Sequence, residues 1–208
     1  MQGAIAEVLA RGEPILFVLL ALSIFSLVLI VVKIVRLWPV TGGVARRNAA
    51  IDTWAAGDRE AAMATLPGPA PADRVLLAAM QGLNSGMPVS VLEGELARRG
   101  NDEMAAMSTG LRLLDLISMI APLLGLLGTV LGMIQSFQDL ANAQGSANAS
   151  VLAEGIWLAL LATAGGLMVA LPAAIAASLL TGRVETAVLR IESSIGRLLA
   201  VEATASRG

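Results

Sequence analysis

The residues whose chemistry departs most from their surroundings are two threonines, Thr129 and Thr163. Each is a hydroxyl set in an apolar run, Ala121–Met133 (APLLGLLGTVLGM) and Ala162–Gly166 (ATAGG). A hydroxyl in such a run bonds to a carbonyl one turn back, or offers its oxygen to a partner or a water. The neighbouring glycines, Gly125, Gly128 and Gly132, let another helix approach closely. Helical spacing puts Ser118, Ala121, Gly125, Gly128 with Thr129, Gly132 and Ser136 on one stripe. Ala159, Ala162 with Thr163, Gly166, Ala170, Ala173 and Ala177 form a second. Stripes of this kind serve tight helix packing. Carrying hydroxyls, they also suit a narrow interior that holds another helix or a file of water. Pro122 and Pro172 lie in the longer uncharged stretches that hold these runs, Leu116–Phe137 and Gly155–Gly182, where they free carbonyls and kink helices. Neither Leu116–Phe137 nor Gly155–Gly182 contains Asp, Glu, Lys or Arg. Proton paths in membranes normally carry ionisable groups, so any carboxylate that titrates beside these hydroxyls must come from a partner.

Those stripes need spans to carry them. The chain is 56% hydrophobic and only 14% charged, against about 25% charged in a typical soluble domain, so it belongs with membrane proteins. Ile15–Val32, Leu116–Phe137 and Gly155–Gly182 are uncharged and long enough to cross a hydrocarbon core of about 30 Å. The first is followed by Lys33, Arg36, Trp38 and Pro39 with no small-residue cleavage site, and reads as an uncleaved anchor. Thirteen of the 14 bases fall in Lys33–Asp115 or after Gly182, and none in Gln138–Glu154. By the positive-inside rule the large loop and the tail are expected in the cytoplasm. Cys and His are both absent, which removes thiol nucleophiles, disulfides, and zinc or haem sites built on those ligands. No metal or cofactor is expected, and a net charge of −2 gives no reason to expect nucleic acid.

The expected organisation is an N-terminal periplasmic segment (1–14), transmembrane helix 1 (15–36), a cytoplasmic helical domain (37–115), transmembrane helix 2 (116–137), a periplasmic loop (138–154), transmembrane helix 3 (155–182) and a cytoplasmic C-terminal helix (183–208). Within the loop, Ala61–Leu66 and Asp73–Leu83 read as short helices around the break made by Pro67, Gly68, Pro69 and Pro71. From Val89 the pattern is helical, with Gly100 as a weak point and no strong stop, so one long helix is expected to run into the second span. In the tail, Val184, Val188, Ile191, Ile195 and Leu198 form a heptad seam. That seam packs either on its own chain or on a neighbouring copy.

The segments APLLGLLGTVLGMIQSF and GIWLALLATAGGLMVALPAAIA, in this order around a short loop, resemble the ExbB/TolQ/MotA family of inner-membrane ion-channel subunits, most of all the ExbB and TolQ branch. The resemblance implies an all-α homopentamer of three-span chains around a central pore. Single-span partners of the ExbD/TolR kind, each with a membrane aspartate, would sit inside it. Proton flow there would drive work on TonB or TolA. It implies that Thr129 and Thr163 line the pore. Pro122 and Gly125 match the family's second-span motif, and Gly128, Gly132 and Gly166 are expected to pack the helices around the pore. One departure stands out. Many relatives read Gly-Ile-x-Glu-Ala-Leu at the start of the third span, and here the glutamate position is Leu158, with Glu154 just ahead of the motif. Glu154 and Leu158 are therefore the candidates for gating, and the ion is H+ or Na+. A non-conducting oligomeric scaffold is the competing class. A classical enzyme is not expected, because no catalytic constellation is visible.

Overall fold

The computed structural model describes residues 14–66, 68, 70–142 and 149–205. The expected segment 1–14 lies outside them except for Pro14, as do 143–148 of the expected 138–154 loop and residues 206–208. Seven α-helices account for most of the described chain: α1 (Pro14–Leu37), α2 (Val44–Ala55), α3 (Arg59–Ala64), α4 (Pro71–Asn84), α5 (Val89–Ser108), α6 (Leu111–Asn142) and α7 (Ala149–Ala205). Among the described residues, three helical segments are long and apolar enough to cross a membrane. The chain divides into two compact units. One takes residues up to Val32 and 110–178; the other takes residues 33–109 and those from Leu179 on.

In the first unit, α1, α6 and the first half of α7 bury a thin core of Ile15, Leu19, Ile117, Ala121, Val169, Ala170 and Ala173. Most of the large apolar side chains point outward instead, among them Phe17, Ile24, Leu27, Met119, Leu123 and Leu171. In a water-soluble protein such exposure would be an aggregation liability. On spans it supplies the surface that meets lipid or partner helices.

The second unit has a denser core. Ile51 and Trp54 of α2, Leu76, Ala79 and Met80 of α4, and Leu92 and Leu96 of α5 close around Ile191 and Leu198 of α7. The heptad seam is therefore taken up by its own chain, with Val184, Ile191 and Leu198 buried and Val188 and Ile195 half-buried. Polar contacts fix the register. The Trp54 indole N–H and the Arg59 guanidinium each donate to the Glu202 carboxylate at 2.9 Å. Arg59 also lies over the Trp54 ring, 4.8 Å from its centroid. Asp58 accepts from the Ala61 N–H and caps α3, and Pro71 occupies the first position of α4. α3 and α4 fall close to the two short helices read from sequence.

One expectation fails. No single helix runs from Val89 into the second span. α5 ends at Ser108, and Thr109 and Gly110 interrupt the path before α6 starts at Leu111. Gly110 has φ +83°, a left-handed conformation that glycine adopts freely and other residues resist. Gly100, the expected weak point, is ordinary helix. The α5 terminus is closed by Lys33, whose buried ammonium donates to the Met107 carbonyl at 3.2 Å. A cation there satisfies an otherwise unpaired helix-end acceptor and complements the helix dipole.

On the solvent face of α5, Glu95 receives two hydrogen bonds from Arg98 and one from Arg99. Arg98 first, then Arg99, hold its carboxyl down at about 2. The folded state thus binds this proton less readily than the unfolded chain. Pairing is complete above the ordinary carboxylate range near pH 4.3 and is lost as pH falls through about 2. Since Glu95 is an exposed site, the effect on stability is small. An NMR titration should show the Glu95 carboxyl inflecting well below the ordinary carboxylate range. Arg98→Gln should move the inflection most of the way back.

Candidate functional site

The two small-residue stripes face each other within one protomer. Ala121, Gly125, Gly128, Gly132 and Ser136 on α6 are all buried. So are Ala159, Ala162, Gly166, Ala170, Ala173 and Ala177 on α7. The tightest point is the pairing of Gly125 with Gly166. A methyl on Gly166 would lie 2.5 Å from the Ala121 carbonyl oxygen and 3.1 Å from the Gly125 Cα, and one on Gly125 would lie 2.9 Å from the Ala162 carbonyl oxygen. Backbone meets backbone here, which no side chain can accommodate by moving aside.

The threonines flank this crossing. The Thr163 hydroxyl donates across the interface to the Gly125 carbonyl at 3.2 Å. The Thr129 hydroxyl donates to the Leu126 carbonyl of its own helix at 2.7 Å. Both are half-buried. With each proton committed to a carbonyl, each oxygen keeps lone pairs to accept from a water or a protonated group. Pro122, half-buried one turn before Gly125, cannot donate to the Ser118 carbonyl, so that acceptor also lacks its helical partner. The interface therefore offers hydrogen-bond acceptors and no group that titrates.

At the other end of the interface a contact appears that sequence reasoning missed. The buried Ser136 hydroxyl donates to the Gly132 carbonyl at 2.7 Å. Gly155 lies against it so closely that a methyl there would fall 1.8 Å from the Ser136 oxygen. The signal available was only a glycine opening the third apolar stretch. Glu154, exposed, and Leu158, half-buried, lie nearby on α7. The structure does not gather them with the threonines. Glu154 precedes Thr163 by nine residues, which on a 3.6-residue helix is two and a half turns and the opposite face.

Comparison with known proteins points one way. The family model described as the MotA/TolQ/ExbB proton channel family matches residues 68–193, more than half of the chain. The biopolymer transport protein exbB1 of Vibrio cholerae is 46% identical over 88 residues, 42% of this chain and 39% of that protein. A putative biopolymer transport protein, ExbB-like 1, of Synechocystis is 51% identical over 71 residues, 33% of this chain and 28% of that protein. The Tol-Pal system protein TolQ of Haemophilus influenzae is 30% identical over 123 residues, 58% of this chain and 52% of that protein. The chain thus spans about half, or less, of the length of these relatives.

Proposed function

Because the chain belongs to the MotA/TolQ/ExbB proton channel family, we propose that it is an ExbB-like motor subunit of the inner membrane. Five copies enclose a pore, with the N-terminus periplasmic and the C-terminus cytoplasmic. Thr129 and Thr163 face the pore, and Pro122, Gly125, Gly128, Gly132 and Gly166 hold its wall. A single-span partner of the ExbD/TolR kind sits inside and supplies the aspartate that takes up and releases the proton. The work passes to a TonB-like protein. Glu154 and Leu158 are the proposed periplasmic gate.

The observation that carries this reading is an acceptor-lined, close-packed interface of two apolar helices without a single ionisable side chain between Leu116 and Phe137 or Gly155 and Gly182. An acceptor wall beside an imported carboxylic acid can hold its protonated form by hydrogen bonding and leave titration to the partner. A TolQ-like role is the second reading. The Haemophilus TolQ alignment, the longest of the three comparisons, favours it. The protein that co-purifies, TonB-like or TolA-like, separates the two.

The deciding experiment is ion flux in liposomes that hold this chain with its genomically adjacent ExbD-like partner. Proton flux is expected with the partner's membrane aspartate intact and absent with Asp→Asn. No flux from an assembled complex, under either a proton or a sodium gradient, would overturn the reading in favour of a scaffold. Thr163→Val keeps the side-chain volume and removes the hydroxyl. It should cut flux about tenfold, the rate equivalent of ~1.4 kcal/mol, with assembly unchanged.

A further inference from the structure

Most arginines of the second unit are paired with carboxylates. Arg46 and Arg47 meet Asp73, Arg59 meets Glu202, Arg74 meets Glu103, and Arg197 meets Asp52. Arg183 differs. Its guanidinium stacks over the Trp38 ring, 4.9 Å from the centroid, and makes no ion pair among the described residues. Trp38 as a whole is 68% exposed. An exposed indole at the end of an apolar span suits the membrane–water interface, where its apolar body and its polar N–H both find partners.

Position says what that something is. Trp38 directly follows the last residue of α1, and Arg183 directly follows the uncharged stretch Gly155–Gly182. Val35 lies one turn before Trp38 and Leu179 one turn before Arg183, each on the same helix face as its successor. Both are strongly exposed. Each helix therefore presents an apolar side chain on the span side and a polar tip beyond it, and the Arg183–Trp38 stack joins the two tips. An acyl chain fits against Val35 and Leu179. A headgroup then meets an indole, which favours the interface, and a guanidinium whose fork matches phosphate oxygens. Stacking on the ring orients that fork and lowers the entropy lost on binding.

We propose that Val35, Trp38, Leu179 and Arg183 form a site for one phospholipid, with the phosphate held by Arg183 against Trp38 and anionic headgroups preferred over zwitterionic ones. The preference follows from the uncompensated charge of Arg183. This site depends on the spans lying in a bilayer and not on the identity of the conducted ion or of the partner.

The test uses the full chain reconstituted in vesicles of equimolar phosphatidylglycerol and phosphatidylcholine, extracted in mild detergent, with retained lipid counted by native mass spectrometry. The wild type should retain phosphatidylglycerol in excess. Arg183→Gln should reduce that excess about fivefold, and Arg183→Lys should restore part of it. Arg36→Gln, two residues from Trp38 and on the far side of α1, should leave it unchanged. An unchanged ratio in Arg183→Gln overturns the site, as does an equal loss in Arg36→Gln, which would mean diffuse attraction. If Arg183→Gln does not fold, Trp38→Leu takes its place and should lower retention; undiminished retention would again overturn the site. Displacement by inorganic phosphate would mean a free-anion site and overturn the lipid assignment. A wild type that enters the vesicles without preference defeats this site alone, and one that does not enter them defeats the channel reading as well.

Discussion

Gly166→Ala should markedly lower the melting temperature of the detergent-solubilised chain, while Gly165→Ala next to it should not. The added methyl at 166 would sit 2.5 Å from the Ala121 carbonyl oxygen, whereas the one at 165 meets nothing closer than the tip of Leu19 at 3.8 Å. Both substitutions gain the same helix propensity, so the pair isolates the crossing. Overpacking at a rigid contact costs about 1–3 kcal/mol, and here the strained partner is helix backbone, which puts the cost at the upper end. Separating the helices also lengthens the Thr163 to Gly125 hydrogen bond. Ion flux should therefore fall further in Gly166→Ala than the folded fraction alone explains. Equal melting temperatures for the two variants would mean that the α6–α7 crossing is not as close as described.

The largest loss of stability is expected from Asp73→Ala in the second unit. Asp73 is fully buried at the start of α4 and accepts from both Arg46 and Arg47. Arg47 is itself almost fully buried and also donates to the Gly42 carbonyl at 2.8 Å. Gly43, with φ +77°, carries the chain past this cluster. Any side chain on Gly68 would collide with the Asp73 carboxylate. Removing the carboxylate strands a buried guanidinium, which costs about 3–5 kcal/mol. Arg46 contributes less to that figure because it is more exposed. Amide hydrogen exchange on the full chain should accelerate more than a hundredfold across α2 and α4, since each ~1.4 kcal/mol is a factor of ten. Asp73→Asn keeps one acceptor and should lose less. Unaltered exchange in Asp73→Ala would show that this cluster does not hold the unit together.

The spans and the facing stripes were legible because both are periodic. An uncharged run reports its length directly, and small residues at steps of three and four report a shared face. The same periodicity misled at Thr109–Gly110. A glycine that continues a helix and one that breaks it with positive φ look alike in sequence, and the apolar rhythm from Leu92 to Leu114 runs straight across the break. The seam of α7 was readable as a seam but not as to what fills it, because a heptad specifies a face and not its partner. Arg47 and Asp73 were unreadable as a pair, standing 26 residues apart in stretches that look like solvated charge. The Ser136–Gly155 contact was hidden for the opposite reason, since neither residue stands out among many small ones.

The second unit is made of two pieces of chain that a ribosome delivers far apart in time. Residues 33–109 supply most of the core, but Ile191 and Leu198 close it and Glu202 ties it to Trp54 and Arg59. Between Thr109 and Ile191 lie two spans that must first enter the membrane. At about 5–20 residues per second, the faces of Leu76, Met80 and Leu92 wait roughly 4–16 s for their cover. During that interval the nascent chain displays the kind of surface that chaperones hold and proteases cut. A chain that ends before Ile191 would therefore leave this core open even though its spans are complete.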